Sequence, residues 1–299
     1  MIPAELQAHL DGGTTTTCRA WTVRRRDGTV LGFTDHDCDL MIEGVVHRAG
    51  SGLTARALQQ GTGLAVDNTE AAGALSDAAI SEADLAAGRY DAAEVRIWLV
   101  NWADGTQRAE LFRGSLGEVT RLGAEFRAEL RGLSEALNQP VGQAYTRDCS
   151  AVLGDGRCRF DTVQAGYSAE RAVEAVDGAR RMFRFADFAG FADRWFEFGR
   201  VEVLDGAARG LVGLVKADRM AGAGRVMELW HGIRADLRPG DMLRFTAGCD
   251  KRAETCRMKF ANMPNFRGFP HIPGEDWLTA YPRAGRNTGG GSIFAGTGL

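Results

Sequence analysis

The sequence predicts a mainly β protein of two β-barrel or sandwich domains with a few short helices. Three observations carry that expectation. Short runs alternate apolar and polar residues, as in Glu94-Val-Arg-Ile-Trp-Leu-Val-Asn101, which is the period of a strand with one buried face. Glycine is abundant, with 39 residues against 7 prolines, and this favours many tight turns over stiff linkers. The length, 299 residues, suits two domains of ordinary size.

The elements follow in order. Residues 2–10 read as a short helix, with Pro3 suited to its first turn and Gly12-Gly13 to its stop. Residues 18–24 read as a strand, Asp27-Gly28 as a type I′ turn, and 29–35 as the return strand. That register sets Cys18 opposite Asp37 and leaves Cys38 on the other face. A second strand pair is expected within 40–53. Residues 81–88 have the pattern of a one- or two-turn helix, opened by a serine cap and closed by Gly88. Residues 94–102 alternate as a strand, Asp104-Gly105 marks a turn, and 110–114 and 118–131 read as further strands. Residues 133–138 read as a brief helix that stops before Pro140.

The stretch 141–162 lacks periodicity, so the first domain is expected over 1–140 and the second over 141–280. Six short strands are expected in the second domain, at 182–185, 195–198, 199–204, 211–215, 226–230 and 241–245, separated by turns such as Asp205-Gly206 and Pro239-Gly240. Regular short strands with glycine turns argue for a small barrel or sandwich. Residues 250–261 have helical composition. Residues 281–299 are glycine-rich and aperiodic, the pattern of a flexible tail.

Composition narrows the function. The net charge of −3 gives no electrostatic reason to expect tight or specific nucleic-acid binding. The start, Met-Ile-Pro-Ala-Glu, lacks the basic and apolar regions of a signal peptide. No apolar run approaches the roughly 20 residues of a membrane span. Synthesis and folding in the cytosol are expected. Cysteines there are more often free thiols or metal ligands than disulfides.

Four of the six cysteines form a constellation. Cys149 and Cys158 are separated by eight residues, and Cys249 and Cys256 by six. One pair precedes the expected barrel and the other follows it, so barrel closure can bring them together. Four thiolates are the ligand set of an iron–sulfur cluster, tuned by hydrogen bonds to sulfur. Arg157, Lys251, Arg252 and Arg257 are placed to offset thiolate charge. Zinc is the competing metal, although structural zinc sites usually space their ligands by two to four residues. Four buried thiols and two disulfides remain open readings of the spacing. Cys18 and Cys38 read as structural thiols.

Other polar groups read as structure. Asp35-His36-Asp37 reads as a strand-end turn whose carboxylates take backbone N–H bonds, since Cys38 and His47 complete no ligand spacing. His271, Glu275 and Asp276, among Pro270, Pro273 and Gly274, read as a rigid docking turn. Gly222 and Gly224 read as a hairpin turn, because no βαβ unit surrounds them. No G-x-S-x-G elbow and no H-E-x-x-H occurs.

Phe33-Thr-Asp-His-Asp37, the Cys149…Cys158 loop, the Cys249…Cys256 pair and Asn265-Phe-Arg-Gly-Phe-Pro-His-Ile-Pro-Gly274 occur in that order. In these motifs, over about residues 1–280, the chain resembles the phage tail-hub proteins of siphophage tails and of alphaproteobacterial gene transfer agents. The baseplate hub proteins of Rhodobacter-type gene transfer agents are among them. The cysteine gaps also resemble those of tail-tip protein L of lambdoid phages, a relative that carries a [4Fe–4S] cluster. The resemblance implies tandem hub β domains and cluster ligation by Cys149, Cys158, Cys249 and Cys256, and it supplies no catalytic residues. It implies a homotrimeric baseplate hub, set between a distal tail protein and a large central tail-tip or fibre protein in an extracellular particle. DNA passage through a central pore is compatible with that place.

Two classes of function follow. The first is a structural hub whose cluster staples distant chain segments. The alternative is a metal-dependent or redox enzyme using the four-cysteine centre. It would need an open ligand position or a cofactor fold, and the sequence carries no dinucleotide fingerprint. A cell-wall hydrolase would need a compact Cys–His pair, and Cys256 and His271 stand too close in sequence for that.

Overall fold

The structure, a computed structural model, describes residues 2–49, 54–55, 68–74, 81–122, 125–133, 137 and 142–273. Within them the protein is mainly β, and the chain divides into two compact units, Met1–Val141 and Gly142–Leu299. The expected tail over 281–299, residues 50–53 of the segment expected at 40–53, residues 134–136 and 138 of that expected at 133–138, and Glu275 and Asp276 lie outside the described residues.

The first unit opens with α1 (Ala4–Asp11), β1 (Thr17–Arg24), β2 (Val30–Thr34), β3 (Leu40–Ile42) and β4 (Val45–Arg48). It continues with β5 (Thr54–Ala55), β6 (Asn68–Ala74), α2 (Glu82–Ala86), β7 (Glu94–Asn101), β8 (Arg108–Leu122) and β9 (Glu125–Gly132). The nine strands form one sheet in the order β3-β4-β2-β1-β7-β8-β9-β6-β5. Alternation in β1 sends Trp21 and Val23 to one face, where they pack with Phe33, Ile97 and Phe112. Cys18 and Ala20 go to the other face, with Ile42, Trp98 and Val100. Ser81 caps α2 by accepting the Asp84 N–H at 3.1 Å. The Asp84 carboxylate ties that helix to Arg25 at 3.1 Å and Arg89 at 2.9 Å.

Two expectations about this unit are corrected. The chain turns at Asp27-Gly28 through a three-residue loop, closed by the Arg25 N–H on the Thr29 carbonyl at 2.9 Å. Gly28 alone is left-handed there (φ 88°), whereas a type I′ turn needs two such residues. The register therefore moves by one: Ala20 faces Thr34 and Arg24 faces Val30, and Cys18 is not paired with Asp37. The run 118–131 is not one strand. A bulge between Leu116 and Val119 resets the alternation inside a single long β8, and β9 then folds back on it, with Leu122 facing Glu125.

The second unit contains β10 (Ser168–Ala172), β11 (Ala175–Val176), β12 (Met182–Phe185), β13 (Arg200–Val203), β14 (Val212–Ala221), β15 (Gly224–Leu229), β16 (Met242–Thr246) and α3 (Ala253–Met258). The sheet order is β10-β16-β13-β14-β15-β12-β11. Its two edges, β10 and β11, are consecutive in the chain with only Val173 and Glu174 between them. The sheet must therefore curl until its edges meet, which makes a partly open barrel. A bulge between Val215 and Ala217 in β14 sharpens the bend. Phe183, Phe185, Phe188, Phe196 and Phe245 fill the interior, and each contributes roughly 1.5–3 kcal/mol by burial. Gly222 (φ 66°) turns β14 into β15, as expected. β10 and β11 were not expected from sequence. Residues 195–198 are a turn rather than a strand, because Arg194 (φ 59°) and Phe198 (φ 64°) are left-handed and the Phe196 N–H goes to Asp218 at 2.8 Å.

That aspartate is half of a fully buried ion pair. Arg225 meets Asp218 at 2.6 Å with both side chains 0% exposed, and it also donates to the carbonyls of Phe191 (2.7 Å) and Ala192 (3.0 Å). Removing one partner of such a pair leaves a buried charge without its counterion, which costs about 3–5 kcal/mol. Arg225→Met is expected to lose that much in urea denaturation. Asp218→Leu/Arg225→Met should recover at least half of the loss.

Candidate metal centre

The barrel's topology sets the ends of its chain side by side. β10 is its first strand and β16 its last, and they pair antiparallel, with Ser168 facing Thr246. The segment that leads into β10 and the one that leaves β16 therefore emerge at the same end. The first carries Cys149 and Cys158, and the second carries Cys249 and Cys256. All four cysteines line one cavity with the apolar Ala151, Leu153, Phe260 and Phe266 and the polar Lys251 and Asn262.

Backbone pairing holds the segments together. The Cys149 N–H donates to the Lys251 carbonyl at 2.8 Å, the Ser150 N–H to Arg267 at 3.1 Å, and the Phe269 N–H to Thr146 at 2.9 Å. The approach requires glycine at position 268, where a Cβ would stand 2.6 Å from the Asp148 carbonyl oxygen and 2.7 Å from that of Arg147. Gly248, just before Cys249, is tighter still, with a Cβ falling 1.6 Å from the Glu197 carbonyl oxygen. Within the first loop, the Asp155 carboxylate accepts N–H bonds from Val152 (2.8 Å), Arg157 (2.9 Å) and Cys158 (2.6 Å). Those bonds, that from Cys158 first, hold its carboxyl below the usual range. Asp250 steadies the start of α3 by accepting the Arg252 N–H at 3.0 Å and the Thr255 hydroxyl at 2.9 Å, which places Cys256 at mid-helix.

The sulfurs have donors around them. The Arg267 N–H reaches the Cys149 Sγ at 3.3 Å, and the Asn262 Nδ2 reaches the Cys158 Sγ at 3.5 Å. Burial raises the Cys249 thiol pKa. Burial, with the neighbouring Cys249, Cys149 and Cys158, pushes the Cys256 thiol up to about 11. Ionising both Cys249 and Cys256 calls for a cation beside them, and a metal that binds them takes the place of their protons. Lys251 donates to the Ala151 carbonyl. Lys259, lowered to about 8 by burial, donates to the carbonyls of Trp195 (2.6 Å) and Gly248 (2.9 Å) and lies 4.3 Å from the Trp195 ring.

A single tetrahedral zinc with bonds of about 2.3 Å would draw its four sulfurs to about 3.8 Å from one another. Among the described residues, only His36, Asp37 and Cys38 bring three ligand atoms within 4.8 Å of one another. The four cysteine sulfurs share a cavity without any three of them lying that close together.

The remaining candidates fall elsewhere. Asp35 accepts the Arg19 N–H at 2.6 Å, the strand-end role expected of it. His36, Asp37 and Cys38 converge, which no spacing rule finds because they are consecutive, and the His36 Nδ1 is taken by the Cys38 N–H at 3.0 Å. His47 is buried, with its Nε2 2.9 Å from the Thr22 hydroxyl. Cys18 is buried and Cys38 exposed, both as free thiols. His271 is exposed. Of the cations expected near the cysteines, Lys251 and Arg252 line the cavity, and Arg157 bonds the Ser150 hydroxyl at 2.6 Å. Sequence reasoning missed Lys259 and Asn262. The signal available was their place three and six residues after Cys256.

Comparison with known proteins gives two family matches along the chain. The family described as "Baseplate hub protein, N-terminal attachment domain" matches residues 3–161, and "Phage conserved hypothetical protein BR0599" matches residues 194–276. No curated protein matches the chain. A chain from the solved "Virion of native gene transfer agent (GTA) particle" is 58% identical, with a TM-score of 0.90, over 98% of this chain and 100% of that one. Among the described residues no helix is long and apolar enough to cross a membrane. With more than half of its length matched by one family and nearly all of it by one solved relative, the chain belongs to the baseplate hub protein family.

Proposed function

We propose that this protein is the hub of a phage-like tail baseplate, a component of an extracellular gene transfer agent or siphophage particle. In this reading it assembles as a homotrimeric ring between a distal tail protein and a large central tail-tip or fibre protein. Each copy carries an iron–sulfur cluster, a [4Fe–4S] centre, on Cys149, Cys158, Cys249 and Cys256. Its place in the particle is supported by the 58% identity to a chain of a solved gene transfer agent virion. The observation that carries the cluster is the convergence of four cysteines from both flanks of the barrel on one cavity.

The role is structural. Four thiolates would occupy the cluster's ligand positions, so the centre acts as a staple, and the stability it supplies is folding stability of the second unit. When bound, the cluster would take the place of the protons that burial holds on Cys249 and Cys256. Lys251, the Arg267 N–H and the Asn262 amide then face sulfur that carries negative charge.

Anaerobically purified protein is expected to be brown and to contain iron and acid-labile sulfide, and one zinc with no iron would overturn the cluster. Cys149→Ser and Cys256→Ser should lose iron and lower the unfolding midpoint of the second unit, while Cys18→Ser should keep its iron. Gly268→Ala should lower iron retention several-fold, because the new methyl group must displace the backbone that carries the Arg267 N–H. Light scattering or native mass spectrometry should give the mass of a trimer, for the protein alone or on binding its tail neighbours. A monomer in both conditions would sink the ring.

A further inference from the structure

We propose that Asn262 joins the two cysteine pairs and sets the reduction potential of the centre they hold; this rests on the cluster reading above. Asn262 lies on the segment between α3 and the 3-10 turn Met263–Asn265. Its side-chain Nδ2 donates to the carbonyl of Cys158 at 2.7 Å and reaches the Sγ of the same residue at 3.5 Å. Its main-chain N–H donates to the carbonyl of Cys256 at 3.1 Å. One residue thus bonds to a cysteine from before the barrel and a cysteine from after it.

The orientation of the amide is fixed. The Asn265 Nδ2 donates to the Asn262 Oδ1 at 2.8 Å, so the oxygen of Asn262 is taken and its NH2 must face Cys158. A flipped amide would set NH2 against NH2 at Asn265 and a carbonyl oxygen against the Cys158 carbonyl and sulfur. The side chain is half-buried on the wall of the cysteine cavity, where a donor acts through a medium less polar than water.

The chemistry follows from charge. Reduction adds an electron to a centre that already carries four thiolates. An N–H aimed at a ligand sulfur stabilises the more negative state and raises the potential, one of the levers by which proteins tune such centres. Asn262 supplies one of these donors, on the Cys158 sulfur. The Arg267 N–H on Cys149 adds a second, but it is main chain and no side-chain substitution removes it. The Asn262 amide is the donor that a point mutation can take away without moving the backbone.

Asn262→Asp tests this in the full-length, anaerobically purified protein. It keeps the shape of the side chain and an oxygen for Asn265 while replacing the donor with an acceptor. Iron and sulfide are determined first, and the midpoint is then read by dithionite titration followed in the visible spectrum. The variant is expected to keep its iron and to show a reduced-to-oxidised ratio about tenfold lower at a fixed potential, which is 59 mV for one electron. Asn265→Ala, which frees the amide to turn, should move the midpoint in the same direction by less, and it carries the measurement if Asn262→Asp sheds iron. Midpoints unchanged in iron-replete variants overturn the assignment and leave the cluster standing. Wild-type protein without iron and sulfide overturns both.

Discussion

The second unit depends on backbone lying directly against backbone at Gly248 and Gly268. A methyl group at either place would overlap a carbonyl oxygen of the facing segment, 1.6 Å away at Gly248 and 2.6 Å at Gly268. These contacts hold the segment after β16 against residues 197–199 and 147–148, and Cys249 and Cys149 are positioned beside them. Cys249 directly follows the first contact. Cys149 precedes Ser150, whose N–H and hydroxyl both meet the Arg267 carbonyl. The two cysteine loops contain little secondary structure of their own, so their geometry is borrowed from the strands that flank them.

The electrostatics of the cavity follow from that enclosure. Burial raises the Cys249 and Cys256 thiols, and for Cys256 the other three cysteines add to the effect. The nearby cations are anchored by barrel carbonyls: Lys259 spans Trp195 and Gly248, and Tyr167 returns a bond to the Lys259 carbonyl at 2.7 Å. Phe160, Tyr167 and Phe260 stack around these groups with centroids 4.8–5.7 Å apart. Charge that would otherwise be compensated by water is compensated here by fixed groups. This is the setting in which a multivalent cationic centre contributes most.

Much of this was legible in the sequence, and the failures share a cause. Strands with one buried face, such as 94–101, announce themselves by alternation, and the helices at Ala4–Asp11 and Glu82–Ala86 by their caps and stops. The cysteine pairs were legible because thiols are rare and their order relative to the barrel is plain. What failed was wherever a left-handed residue or a bulge changed the phase. Gly28 adds a residue to a turn that composition reads as two-residue. The Leu116/Val119 bulge makes β8 look like two strands. Arg194 and Phe198 convert an aromatic run into a turn. Lys259 and Asn262 were missed because their roles are set by carbonyls and sulfurs far away in the chain, and nothing local marks a lysine or asparagine for such a contact.

The pairing of β10 with β16 bears on what a cross-link at this place does. In the folded barrel the two flanks already emerge together, so a cross-link there joins segments that are already neighbours. Its effect falls on the unfolded chain, where residues about 90 apart, from Cys158 to Cys249, would otherwise separate freely. Closing a loop of that size by covalent cross-linking is worth on the order of 4–5 kcal/mol in the chain-entropy picture. A barrel with a buried Arg225–Asp218 pair gives up some stability for a defined interior, and a clasp across its two ends offsets that loss without enlarging the core. On the proposed reading, this is why the centre sits at the open end of the chain rather than inside the barrel. On the same reading, a hub under load would have to resist being pulled apart at its chain ends, and the four thiolates would close the polypeptide at that point.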